Sequence, residues 1–300
     1  MKKVIAIVGP TAIGKTKISI ELARHYNLDI ISADSVAVYK SLDIGSAKPR
    51  KEEMKGVKHY LLDLLDPSEQ YSVDLFQKKS REIIEKNNPI IISGGTGLYV
   101  QAALYDYEFS QKRDISFEEK YKHLSNLELY DLLIKRDPSV IDRIHPNNRK
   151  RVLRALEVLE NTDKSISSFD GKKNKVYDSY IIYLNVSNRD LLYDRINKRV
   201  DLMIKEGLLD EVKGLMDKDI YPNAIGYKEL VPYFRGEIGL ECAIEEIKKN
   251  SRHLAKRQMT WFKNQMDTHF YEVSLDNIGD TINSIIKDLD KFLEEVWEYI

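Results

Sequence analysis

A single cysteine, Cys242, is all the thiol chemistry in this sequence; it excludes an internal disulfide framework and a cysteine-rich zinc site, and suits a reducing compartment. Charge of one sign is also lacking. Forty-seven Lys and Arg stand against 48 Asp and Glu, a net charge of −1, so any nucleic-acid surface has to come from local clustering. No apolar run approaches the roughly 20 residues of a membrane span. The chain opens on strand-like sequence after Lys2 and Lys3, so no signal peptide is expected. The six histidines lie far apart and none forms a metal-ligand spacing. Internal repeats and low-complexity segments are absent too. These absences predict a soluble, cytoplasmic protein, with a monomer expected. Its 300 residues, 42% hydrophobic, suffice for one large core or two modest ones.

What is present begins at once. The apolar run Val4-Ile5-Ala6-Ile7-Val8 reads as a buried strand, and Gly9-Pro10-Thr11-Ala12-Ile13-Gly14-Lys15-Thr16 follows it, with a helix predicted from Lys17 to His25. This is the G-x-x-x-x-G-K-[ST] phosphate loop in its required strand–loop–helix setting. Gly9 and Gly14 let the backbone curl so that successive N–H groups face one concavity. The helix N-terminus adds partial positive charge, Lys15 a full one, and the Thr16 hydroxyl can hold a magnesium ion. The loop implies a bound diphosphate or triphosphate. It does not say whose phosphate, or whether phosphorus is the atom attacked.

Short apolar runs recur at 29–32, 59–62, 89–92 and 180–184, mostly separated by helical patterns, which predicts a parallel sheet with helices on both faces. The rhythm breaks between 109 and 178, where leucine periodicity is helical and no strand is evident, ending in the polar run 170–175. The fold expected is α/β: a P-loop NTPase-like parallel sheet, residues 1–108 and 179–300, interrupted by an all-helical insertion at 109–178. After Ser187 the chain reads as mostly helical, closing on a helix from Ile278 to Ile300 whose apolar stripe is core packing.

Asp34 follows the second strand. Ligands of parallel α/β sheets sit outside the carboxyl ends of strands, so a carboxylate there can accept a proton or hold magnesium through water; it is equally suited to capping a helix. Ser93-Gly94-Gly95-Thr96-Gly97 follows the 89–92 strand, and its three glycines imply a close backbone approach, with Thr96 offering a hydroxyl. Arg199 flanks the stripe Leu192, Ile196, Val200, Met203 of a helix spanning about 189–206. It needs an anion, and only Asp194 and Asp201 lie near it in sequence. A diphosphate would serve, as would solvent or a distant carboxylate.

Two basic clusters stand out. Arg149, Lys150, Arg151 and Arg154 crowd the start of a helix after His145-Pro146-Asn147-Asn148, opposing the helix dipole at about 0.3–1 kcal/mol each, which points to an external anion. Residues 248–263 hold six Lys and Arg (Arg252, Lys256 and Arg257 among them) and no acid, a pattern that fits an RNA backbone better than a solvated face.

Together these stretches resemble the tRNA dimethylallyltransferase (isopentenyltransferase) family. The matching segments run in family order over nearly the whole chain: the loop at 9–16, Ile31-Ser32-Ala33-Asp34-Ser35, and Tyr39 with Asp43-Ile44-Gly45-Ser46-Ala47-Lys48-Pro49. Asp66-Pro67 with Tyr71-Ser72-Val73 and Gly94-Gly95-Thr96-Gly97-Leu98-Tyr99 follow. Then come His145-Pro146-Asn147-Asn148 through Arg154-Ala155-Leu156-Glu157-Val158, Ala224-Ile225-Gly226-Tyr227-Lys228-Glu229, and finally Ala255-Lys256-Arg257-Gln258-Met259-Thr260-Trp261-Phe262. Ala37 departs from a common family glutamine and Ser46 from a common threonine.

The resemblance implies that the loop grips the diphosphate of dimethylallyl diphosphate while the exocyclic N6 of the adenosine 3′-adjacent to the tRNA anticodon attacks the allylic carbon. It assigns the general base to Asp34, orientation of the reacting groups to Thr96, and stabilisation of the leaving diphosphate to Lys15, Arg199 and magnesium near Thr16. The insertion would grip the anticodon stem-loop. Expected tRNA contacts are Asp34, Ser35, Val36, Ala37 and Thr96; Lys150, Arg151, Val152, Leu153 and Arg154; Gly226, Tyr227 and Lys228; and Arg252, Lys256 and Arg257. A small-molecule kinase using the loop on ATP is the alternative from another class. A relative acting on free AMP or ADP is the alternative within the family, disfavoured because a free nucleotide needs neither insertion nor basic helix. A non-catalytic RNA binder is disfavoured by intact Lys15, Thr16, Asp34 and Thr96.

Overall fold

Six parallel strands form one sheet in the order β3-β2-β4-β1-β5-β6, in a computed structural model describing residues 1–107, 116–169, 174–274 and 277–297. The strands are β1 (Lys3–Val8), β2 (Ile30–Ser32), β3 (His59–Tyr60), β4 (Ile90–Gly94), β5 (Asp178–Asn185) and β6 (His269–Glu272). β1 lies between β4 and β5 and is buried on both faces, as its unbroken apolar run requires. Its side chains alternate. Ile5 and Ile7 join one core, Val4, Ala6 and Val8 the other.

The first part of the chain supplies helices α1 (Lys15–Tyr26), α2 (Lys51–Met54), α3 (Val73–Lys86) and α4 (Gly97–Leu104). Helix α1 packs on the first core through Ile18 and Leu22, while α3 and α4 cover the second through Phe76, Ile84, Val100 and Leu104. Ser72 starts α3 by accepting the Leu75 amide at 3.1 Å. Residues 106–174 form a separate compact unit with α5 (Ser116–Lys120), α6 (Asn126–Arg136) and α7 (Arg149–Thr162) around Leu129, Leu133, Val152, Leu153 and Leu156. The expected insertion ran on to 178, but Asp178 opens β5. Residues 170–173 of the polar run lie outside the described residues, as do 298–300 of the last helix.

The chain then returns to the sheet and adds α8 (Arg189–Lys205), α9 (Leu208–Met216), α10 (Val231–Phe234), α11 (Leu240–Gln265) and α12 (Ile278–Trp297). Two readings need correction. The 59–62 run makes only a two-residue strand, because Leu61 and Asp63 turn to positive φ (63° and 50°). β6 was not expected, since its four residues bury only Tyr271 and carry no alternation. Helix α11 feeds both cores, Ala255 and Met259 to one and Phe262 to the other, where Met266 just past its end also packs. Among the described residues no helix is long and apolar enough to cross a membrane.

Candidate active site

The register sets the site. Val8 pairs with Gly94 and Ser32 with Ser93, so the carboxyl ends of β1, β4 and β2 stand side by side, each opening into a loop singled out above. After β1, Gly9 takes φ +152°, and a β-carbon there would stand 2.5 Å from the Leu184 carbonyl oxygen; Gly14 takes φ +108° just before α1. Ile13 is fully buried and anchors the loop from below. Lys15 opens α1, and its Nζ donates to the Gly9 and Pro10 carbonyls at 3.0 and 2.7 Å. Burial and then the neighbouring Arg199 push the Lys15 ammonium down to about 7, with Asp34 pulling the other way.

Arg199 reaches the loop from α8, its Nη1 donating to Thr11 Oγ1 at 3.3 Å. Burial lowers the guanidinium's pKa, and Asp34 is the first counterweight. Of the acids near Arg199 in sequence, Asp201 pairs instead with Lys248 at 2.9 Å. One turn earlier Arg195 donates from Nε to the Ala12 carbonyl at 3.1 Å. Sequence reasoning missed Arg195, although its spacing of four from Arg199 places both on one helix face.

Asp34 caps a turn and not a helix, since the next helix after it is α2. Its Oδ1 accepts the Val36 and Ala37 amides at 2.8 and 3.1 Å, capping a turn, and the same carboxylate acts electrostatically on Lys15 and Arg199. The neighbouring Ala33 ties this loop to the one after β4: its amide donates to Ser93 O at 2.8 Å and its carbonyl accepts from Thr96 N at 3.3 Å. The glycines around Thr96 now have a cause. A β-carbon on Gly94 would collide with the Ala33 backbone, on Gly95 with the Gln258 amide, and on Gly97 with the Trp261 ring. The close approach is by the protein's own chain. Thr96 itself starts α4 without capping it through its side chain.

Gln258 was likewise missed. Its Oε1 accepts the Thr11 amide at 2.8 Å and its Nε2 donates to the Gly95 carbonyl at 3.0 Å. For a divalent metal, no three His, Cys, Asp or Glu converge among the described residues, while Thr16 is exposed at the start of α1. That donor set fits magnesium held largely by substrate phosphates and water.

Several expected RNA contacts have other work. Tyr227 is wholly buried; its hydroxyl donates to Glu211 at 2.7 Å, and its ring fills the space beside Gly45. Glu211 in turn accepts the amides of Asp43, Ile44 and Gly45 at 2.8–3.1 Å. The Gly226 amide donates to Glu229 at 2.9 Å, which leaves Lys228 as the exposed member of its segment. Ala37, Val152 and Leu153 have buried side chains, which takes those side chains out of reach of a ligand. Arg149 is satisfied within its own unit by Leu124 O and Tyr121 O, both at 2.7 Å, and Arg154 pairs with Glu157, so neither calls for an external anion. Lys248 and Lys249 pair with acids that precede the run, and Arg252 donates to Asn197 at 2.7 Å. Lys150, Arg151, Lys256 and Arg257 remain exposed, as does Ser35.

Comparisons with known proteins bear on the family and the fold. The family model described as IPP transferase matches residues 37–265. The tRNA dimethylallyltransferase of Bacillus licheniformis is 46% identical over 286 residues, covering 90% of this chain and 91% of that protein. The crystal structure of a full-length tRNA isopentenylpyrophosphate transferase from Bacillus halodurans overlays with a TM-score of 0.72 at 40% identity, covering 100% of both chains. A eukaryotic dimethylallyltransferase captured acting on tRNA overlays with a TM-score of 0.83 at 28% identity, covering 98% of this chain and 80% of that one.

Proposed function

This chain belongs to the IPP transferase family and is a prenyltransferase acting on tRNA, and we propose that it moves the dimethylallyl group of dimethylallyl diphosphate onto N6 of the adenosine 3′-adjacent to the anticodon. In that reaction the C–O bond to diphosphate breaks and a C–N bond forms, while one N6 proton leaves and diphosphate is released. The observation that supports this reading most is the register that sets the ends of β1, β4 and β2 side by side, so that the loop bearing Lys15, seated by Arg199 on Thr11, shares one sheet edge with the loops bearing Asp34 and Thr96.

An allylic carbon ionises readily once its leaving group is neutralised, so the burden falls on the diphosphate end. There the loop amides, Lys15 and Arg199 converge, with Arg195 braced on the same loop. Diphosphate binding would replace the Gly9 and Pro10 carbonyls as partners of Lys15. Magnesium, held by Thr16 and the phosphates, would add charge neutralisation. A purine exocyclic amine is a poor nucleophile and must lose its proton as the bond forms; Asp34 Oδ2, which takes no part in the turn capped by Oδ1, is the acceptor we assign. Thr96, tied to Ala33, orients the reacting groups. The base cannot react while stacked, so it is extruded at a few kcal/mol, offset by backbone contacts from exposed cations and the helical unit.

The test is mass spectrometry of tRNA after incubation with dimethylallyl diphosphate. A gain of one five-carbon prenyl unit at the adenosine next to the anticodon is expected. Label arriving on a small molecule from γ-labelled ATP, with tRNA unchanged, would replace this reading with a kinase.

A further inference from the structure

We propose that Gln258 is a positioning residue for prenyl transfer, a neutral clasp that holds the diphosphate loop and the Thr96 loop at one fixed separation; this rests on the reaction assigned above. The two loops leave adjacent strands, β1 and β4, at the same end of the sheet. Beyond the strand ends a side chain from α11 hydrogen-bonds to both, 247 positions from Thr11 and 163 from Gly95. A primary amide offers an acceptor and a donor on one rigid plane without carrying charge, and both are used here. The acceptor takes the Thr11 amide, so that N–H is turned from the concavity towards α11 and the loop's orientation is set from outside. The donor takes the Gly95 carbonyl, next to Thr96.

Two further facts bear on the assignment. Gly95 has no room for a β-carbon because the Gln258 amide stands there, so the glycine and the glutamine form a matched pair. Thr11 also receives Arg199 on its hydroxyl, so the residue that Gln258 fixes by its backbone is the one that seats the arginine facing the leaving group. Loss of the clasp should let the two loops drift relative to one another, and a misplacement of about 1 Å can cost about 100-fold in rate.

The test compares Gln258→Met, which keeps the length and removes both bonds, with Gly95→Ala, which pushes the amide aside without altering it. Each should lower kcat roughly 10- to 100-fold, leave tRNA affinity within twofold, and the double variant should lose no more than the worse single one. Additive losses, or a folded Gln258→Met enzyme turning over within twofold of wild type, would overturn the proposal. A readout independent of any variant is hydrogen exchange of the Thr11 amide in the wild-type protein: strong protection is expected, and exchange at the rate of an open loop would also overturn it. If wild-type protein itself fails to prenylate tRNA, the reaction assignment falls first, and the Thr11 measurement still reports whether the clasp exists.

Discussion

Asp34 Oδ1 accepts the Val36 amide at 2.8 Å, and that bond separates what two substitutions of Asp34 report. Asp34→Ala removes both the turn cap and the base. Asp34→Asn keeps an oxygen for Val36 and Ala37 and removes the proton acceptor together with the charge that acts on Lys15 and Arg199. Asp34→Asn should therefore slow the chemical step by about 100- to 10,000-fold with tRNA affinity nearly unchanged. Single-turnover prenyl transfer at saturating tRNA checks this; an unchanged rate would remove the base assignment.

Gly94→Ala tests the backbone contact that brings the Asp34 and Thr96 loops together. The new methyl group would have to displace the Ala33 backbone, which is fixed by hydrogen bonds to both Ser93 and Thr96. A loss of about 1–3 kcal/mol in stability is expected, the usual range for overpacking. Urea unfolding of variant and wild type measures it.

The exposed and paired cations of α11 make opposite predictions. Arg257 is exposed, so Arg257→Ala should weaken tRNA binding and reduce the slope of log affinity against log salt by roughly 1. Lys248 already pairs with Asp201 and Glu245, so Lys248→Ala should leave that slope unchanged. Binding titrations over a range of salt concentrations separate the two. Equal slopes would mean that RNA does not run along this helix.

Tyr227 shows where sequence reading stops. The strand–loop–helix at 3–26 was legible because its signal is local: eight contiguous residues, a strand before and a helix after. Asp34 and Arg199 were legible because strand ends and helix faces are periodic features. The glycines of 94–97 announced a close approach but not by what, since Ala33, Gln258 and Trp261 are distant in sequence. Tyr227 sits in a conspicuous segment that sequence could not tell from a surface motif, and burial against Gly45 and Glu211 makes it a strut. Tyr227→Phe should accordingly lower stability by about 1–2 kcal/mol, the cost of removing one of the donors to the half-buried Glu211 carboxylate, which keeps the Asp43, Ile44 and Gly45 amides, while tRNA affinity stays within twofold. Thermal unfolding together with tRNA titration distinguishes this from a contact role.

Glu160 gives the helical unit its own dependence on pH. Burial alone would raise its carboxyl pKa, but hydrogen bonds from Lys120, Tyr121 and Arg136 together prevail and hold it below the usual 4.5. A carboxyl depressed on folding stabilises the folded state above its unfolded value, and the benefit fades as pH falls through the folded value. Glu160→Gln keeps the shape of the side chain but never carries the charge, so at pH 7 amides of α6 and α7 should exchange faster in the variant, by about tenfold. As pH falls through the folded value the wild-type carboxyl is itself protonated, and at such a pH the two proteins should converge when compared at matched pH. A difference of the same size at both pH values would mean that packing around Glu160, and not its charge, holds α5, α6 and α7 together.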